Sequence, residues 1–82
     1  MPVLVPHANL AKELGVDKVE SDARTVRALL DEVAARLPDT QRAALFRAAL
    51  LLNGRNIHYL KGQNTPLEPD DVLWMVLPSG GG

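Results

Sequence analysis

Val72-Leu73-Trp74-Met75-Val76-Leu77 runs without a polar residue straight into Pro78-Ser79-Gly80-Gly81-Gly82. Six consecutive apolar residues, rich in β-branched and aromatic side chains, suit a strand covered on both faces, which belongs in the middle of a sheet. One helix covers one face, and a partner or ligand must cover part of the other. Strand alternation separates Val72, Trp74 and Val76 from Leu73, Met75 and Leu77. The expectation is that Trp74 is core and that Leu73 and Met75 help form an apolar patch turned to a partner. Three of the six glycines then end the chain, with no further strand for a turn to reach. Glycines there leave a thin thread that passes close to another protein's backbone. Five extended residues span about 17 Å, far enough to carry the terminal carboxylate into a partner's active site. The plain competing explanations are a frayed end and an expression scar. The chain therefore divides into a folded body, residues 1–77, and a tail, residues 78–82.

Working outward from that strand, Glu68-Pro69-Asp70-Asp71 is turn chemistry, and Gly62 and Thr65-Pro66 mark a loop into which Leu67 tucks. Asn53-Gly54 stands between Ala48–Leu52 and Ile57–Leu60, the pattern of a hairpin. A strand over 49–53 is preferred to a helix continuing through Phe46, because helices seldom end directly in a two-residue hairpin. Before it, Val26, Leu29, Leu30, Val33 and Leu37 fall on one helical face behind the N-cap candidate Thr25, and Pro38 ends the run. A helix of about 12 residues is unstable alone, so it must lie on an apolar surface. Asp39 offers a second N-cap for a short turn through Leu45. At the front, Pro2 and Pro6 bracket a strand, Val3–Val5. Ala8–Leu14 forms a short helical piece stopped by Gly15, and Val16 and Val19 sit in an edge strand. The sum is an α+β domain: a mixed sheet of four to five strands with one main helix across it.

Eighty-two residues make one small domain. A net charge of −1 and charges of both signs along the chain give no general pull towards nucleic acid or anionic lipid. The absence of cysteine excludes a disulfide framework, a thiol nucleophile and a thiolate metal site. With no secretory leader and no apolar run of membrane-spanning length, the expected setting is the cytoplasm. His7 and His58 are far apart and have no cysteine beside them, so structural histidines are expected rather than a metal site. Asp70 and Asp71 read as turn formers, and Ser79 on a thread cannot hold a triad in register. No nucleophile with its base and no phosphate loop is visible, so a stand-alone enzyme is not expected.

Leu52-Asn53-Gly54-Arg55-Asn56-Ile57, Asn64-Thr65-Pro66-Leu67, Pro69-Asp70-Asp71-Val72 and the terminal glycines, taken in this order, resemble the MoaD/ThiS group of ubiquitin-like sulfur carriers. His7-Ala8-Asn9-Leu10-Ala11-Lys12-Glu13-Leu14-Gly15 resembles the opening of the MoaD branch. The resemblance implies a β-grasp fold with the last strand parallel to the first at the sheet's centre. It implies that an E1-like adenylyltransferase activates the Gly82 carboxylate with ATP and that a sulfurtransferase supplies sulfur for a thiocarboxylate. It implies delivery to the large subunit of molybdopterin synthase, with no cofactor bound by the carrier and no nucleic acid or membrane as partner. Gly81 and Gly82 carry the chemistry, with Pro78, Ser79 and Gly80 as the leading thread. Leu73, Met75, His7 and Asn56 are the candidate partner-binding residues.

Three departures stand out. Counted from Asp71-Val72, the family's diglycine falls on Gly80-Gly81; counted from the end, it is Gly81-Gly82, the placement that needs no trimming. Val76-Leu77-Pro78 replaces the family's Pro-Pro, and His7 stands where MoaD proteins often present an aromatic. The same activated carboxylate also serves a protein modifier joined through Gly82, or a carrier for thiamine, cysteine or tRNA thiolation. A β-grasp interaction domain with an idle tail is the third possibility.

Overall fold

Pro2 and Pro6 bracket β1 (Val3–Val5), and the chain then turns into α1 (Ala8–Leu14) in the structure, a computed structural model that describes residues 1–76. Gly15 ends α1 in the left-handed conformation, its N–H bonded to the Ala11 carbonyl at 2.8 Å. β2 is only Val19–Glu20, antiparallel to β1. Val19 is buried and Val16 is exposed, so the edge strand is shorter than the expected 16–19.

α2 (Val26–Ala34) begins where Thr25 Oγ1 accepts the Ala28 N–H at 3.1 Å, as the sequence predicts. Its apolar stripe, Val26, Leu29, Leu30 and Val33, is wholly buried. The chain tightens past Ala34 through Arg36 N to Val33 O and Leu37 N to Ala34 O, and stops at Pro38. A further helix follows, α3 (Asp39–Arg47), longer than the short turn expected. Pro38, not Asp39, holds its N-cap position, and no side chain caps it. Asp39 sits in the first turn, where its charge favours the helix dipole, and accepts from Arg42 Nη1 at 2.6 Å. Arg27 stacks over the Phe46 ring at 5.1 Å, joining α2 to α3. Among the described residues the sheet thus carries three helices, of which α2 is the one with the deeply buried stripe.

Ala48 returns to extended backbone and β3 (Ala49–Leu52) starts, so the strand and not the continued helix occupies this segment. Asn53 at φ 51° and Gly54 at φ 91° make the tight hairpin turn, which requires two left-handed residues. The returning arm is only β4 (Arg55–Asn56). Ile57–Tyr59 is a 3₁₀ turn instead of strand, because Asn56 Oδ1 accepts the His58 N–H at 2.9 Å and curls the chain. A second 3₁₀ turn (Gly62–Asn64) leads to the last strand, β5 (Val72–Val76).

The sheet order is β2-β1-β5-β3-β4. β5 is central, parallel to β1 (Val3 beside Val72, Val5 beside Trp74) and antiparallel to β3 (Leu51 beside Trp74, Ala49 beside Val76). Its inward residues join Leu4, Leu50 and Leu52 and the α2 stripe in a single core.

Candidate functional site

Residues paired across strands share a face, so the registers define the surface that the helices leave open. On β5 it carries Val72, Trp74 and Val76; on β1, Val3 and Val5; on β3, Ala49 and Leu51. Asn56 lies beside Leu51 at its margin. Trp74 is 49% exposed and Val76 37%, whereas the flanking Val3, Val5, Ala49 and Leu51 are half-buried. The surface is therefore an apolar strip three strands wide, centred on one large aromatic. Removing such a strip from water against another protein favours docking by about 25 cal/mol per Å² before the entropic costs of association are subtracted.

This arrangement reverses the expected sidedness of β5. Leu73 and Met75, predicted to face a partner, are 1% and 3% exposed and belong to the core, while Trp74, predicted as core, stands on the open face. The grouping by alternation holds. Its polarity is set by the neighbours: Leu73 lies between Leu4 and Leu52, and Met75 beside Leu50. These large side chains fill the layer under α2, whereas Trp74 has Val5 and Leu51 beside it on the uncovered side.

His7 lies two residues past the end of β1, at the N-cap of α1. Its Nδ1 accepts the Leu10 N–H at 3.2 Å as the N-cap of α1, so half of this half-buried side chain's polar capacity is structural. Asn56 likewise spends its Oδ1 on His58 N. Leu77 and the tail residues Pro78, Ser79, Gly80, Gly81 and Gly82 lie outside the described residues.

The structure adds a feature that the sequence reading missed. Asn53 Nδ2 donates to Asp71 Oδ1 at 2.8 Å, Asn53 Oδ1 accepts from Val72 N at 3.1 Å, and Asn53 N donates to Val72 O at 3.0 Å. Asp71 Oδ2 accepts from Glu68 N at 2.7 Å. This clasp ties the hairpin turn to the start of β5 and supports the register of β3 against β5. Asn53-Gly54 and Pro69-Asp70-Asp71 were both visible as turn signals; only their meeting was not. Among the described residues no group of three His, Asp or Glu side chains is placed to hold a metal ion, and no helix is long and apolar enough to cross a membrane.

A mixed sheet in this order, with parallel β1 and β5 at its centre and helices on one face, is the β-grasp fold of ubiquitin-like proteins. Solved structures bear this out. The small archaeal modifier protein 1 of Methanosarcina acetivorans has a TM-score of 0.84 at 22% identity, over 99% of this chain and 95% of that one. The Amycolatopsis orientalis BexX/CysO complex contains a chain at TM-score 0.81 and 20% identity, with 100% of both chains covered. A putative molybdopterin converting factor subunit 1 from Pyrococcus furiosus has a TM-score of 0.62 at 19% identity, over 94% of this chain and 95% of that one. At such identities the likeness establishes the fold.

The ThiS family model matches residues 7–82, and the chain belongs to the ThiS family. No curated protein sequence matches the chain.

Proposed function

We propose that the chain is a sulfur carrier whose Gly82 carboxylate is adenylated and then thiocarboxylated, and that it delivers this sulfur in molybdopterin biosynthesis as a carrier of the MoaD branch. The observation that carries the reading is the family match through residue 82, which takes in the terminal glycines together with the fold. A carboxylate near neutral pH is an anion and a poor electrophile. An E1-like adenylyltransferase transfers AMP from ATP to it, pyrophosphate leaves, and the acyl adenylate gains a good leaving group. The outer sulfur of a persulfide on a sulfurtransferase then attacks the acyl carbon, and AMP departs with one of the carboxylate oxygens; a second thiol cleaves the resulting acyl disulfide, forming a disulfide with the sulfurtransferase's sulfur and releasing the thiocarboxylate. The carrier needs no acid, base, metal or bound cofactor of its own. Its part is to hold out Gly81 and Gly82 on the thread Pro78-Ser79-Gly80 while the strip around Trp74 docks, first on the activating enzyme and then on a synthase large subunit. The cytoplasm, where ATP is plentiful, is the expected setting.

Mass spectrometry of the full chain tests this after incubation with an E1-like enzyme and sulfurtransferase from the same genome, ATP, a sulfur source and a thiol reductant. The expected product is heavier by the difference between one sulfur and one oxygen, and no such product forms without ATP. An unmodified chain under these conditions overturns the proposal. High-mass conjugates that vanish when Gly82 is deleted support a protein modifier instead. Thiocarboxylate that reaches a thiamine, cysteine or tRNA pathway, and not the pterin, reassigns only the acceptor.

A further inference from the structure

A groove of about 480 Å³ opens at the β4 edge of the sheet, lined by Leu51, Gly54, Arg55, Asn56, Tyr59 and Leu60. Leu51 and Asn56 also belong to the open face, so the groove continues the strip around Trp74 past the sheet's margin. Three observations set it apart from ordinary surface. Tyr59 is 83% exposed, and its ring is braced edge-on by His58 with centroids 5.4 Å apart, so a large amphipathic side chain is presented at little further entropic cost. Arg55 is exposed and has no carboxylate partner among the described residues. The nearby Asp71 has both oxygens engaged, by Asn53 Nδ2 and Glu68 N. From Thr40 to Leu67 the chain holds Arg42, Arg47, Arg55 and Lys61 and not one acidic residue. Only Arg42 of these four is in an ion pair among the described residues. Charges that alternate elsewhere are thus of one sign along this stretch of sequence, and Arg55 is the one charged residue of the groove's lining.

We propose that the groove is a second docking site, which takes an acidic segment of the partner protein that activates the tail. An apolar side chain of that segment packs between Leu51 and Tyr59, and a carboxylate beside it pairs with Arg55. Guanidinium and carboxylate match in a two-bond fork, and Tyr and Arg are the residue types that dominate interface energetics. The groove sets which partner docks and how fast, while the strip around Trp74 supplies apolar area common to any partner. A single-stranded RNA is the less fitting occupant. Nucleic-acid grooves neutralise several phosphates in a row, and this one holds a single cation on a chain of net charge −1.

The proposal rests on the carrier reading for the identity of the partner, and one set of measurements separates the two. The full chain and the E1-like enzyme of the same genome are purified; their Kd is measured by biolayer interferometry at low and high salt, and adenylation is followed by pyrophosphate exchange. The variants are Tyr59→Ala, Arg55→Glu and, as a charge-matched control away from the groove, Lys18→Glu, each checked for a native-like amide spectrum. Tyr59→Ala and Arg55→Glu each weaken binding about tenfold or more. The wild-type Kd rises with salt, Arg55→Glu loses most of that dependence, and Lys18→Glu changes neither. Equal weakening by Lys18→Glu, indifference to both groove substitutions, or no binding by the wild type overturns the groove. So does tight oligouridylate binding that Arg55→Glu abolishes. Binding that depends on Arg55 and Tyr59 without any adenylation leaves the groove standing and overturns the carrier reading, whereas adenylation with an indifferent Kd does the reverse.

Discussion

Leu73 and Met75 on one face of β5 and Trp74 and Val76 on the other share a strand, a pleat and an apolar character, yet the first pair is sealed in the core and the second is partly in water. What separates them is what lies alongside. The inner residues meet leucines of β1 and β3 and the α2 stripe; the outer ones meet Val3, Val5, Ala49 and Leu51 and, among the described residues, no covering layer. The difference teaches that a run of six apolar residues need not mean that a strand is buried twice over by its own chain. Here one face builds the fold and the other, among the described residues, stays open.

The comparison breaks if the two faces cost the same to truncate. Leu73→Ala removes a fully buried side chain from beneath α2 and is expected to cost about 2–5 kcal/mol, measured by urea unfolding. In a domain of this size each kcal/mol lowers Tm by about 4–8 °C, so Leu73→Ala comes close to unfolding the protein at its working temperature. A loss below about 1 kcal/mol would show that the inner face is not the core.

Next in size is the clasp that supports the register of β3 against β5. Asp71→Ala removes the acceptor of both Asn53 Nδ2 and Glu68 N. Because these groups are partly solvated, about 1–2 kcal/mol is expected. Hydrogen exchange sharpens the test, with faster exchange at the Asn53 and Val72 amides and little change in α2. Uniform acceleration would mean that the clasp has no local role.

Much of this was legible from residues. Thr25 as N-cap, the α2 stripe, Gly15 as a stop, β1 between its prolines and the Asn53-Gly54 turn all rest on local chemistry, which a sequence states directly. Contacts between distant segments were not legible. The Asn53–Asp71 clasp joins residues 18 apart, and the sidedness of β5 depends on its registers with β1 and β3, so alternation found the two groups without saying which was inside. The curl after Asn56 was hidden for a local reason: its side chain captures His58 N and turns a β-prone Ile57-His58-Tyr59 away from the sheet. α3 was underestimated because its residues show little apolar periodicity, only Leu45 being buried.

His7 separates the structural from the partner-facing at the start of α1. His7→Ala deletes the cap of α1 and is expected to cost about 1 kcal/mol, while His7→Asn, which keeps an acceptor in reach of Leu10 N, recovers most of it. Thermal melts of the two variants provide the check. If both lose the same stability, the Nδ1 contact at 3.2 Å contributes nothing and His7 is left wholly to a partner.

The smallest stability change belongs to the most prominent residue. Trp74→Glu places a charge where half of the side chain already meets water, so stability is expected to move by about 1 kcal/mol or less. Binding should respond far more strongly, because a Trp at the centre of an apolar patch is the commonest kind of interface hot spot and its loss weakens affinity by about thirtyfold or more. Paired urea and binding measurements on Leu73→Ala and Trp74→Glu, made where both variants are folded, should give opposite rankings. Trp74→Glu should also impair thiocarboxylation with Gly82 intact, since a thread with the right chemistry is useless if the body that carries it no longer docks. If Trp74→Glu binds as the wild type does, the open face is idle and the tail alone brings the partner.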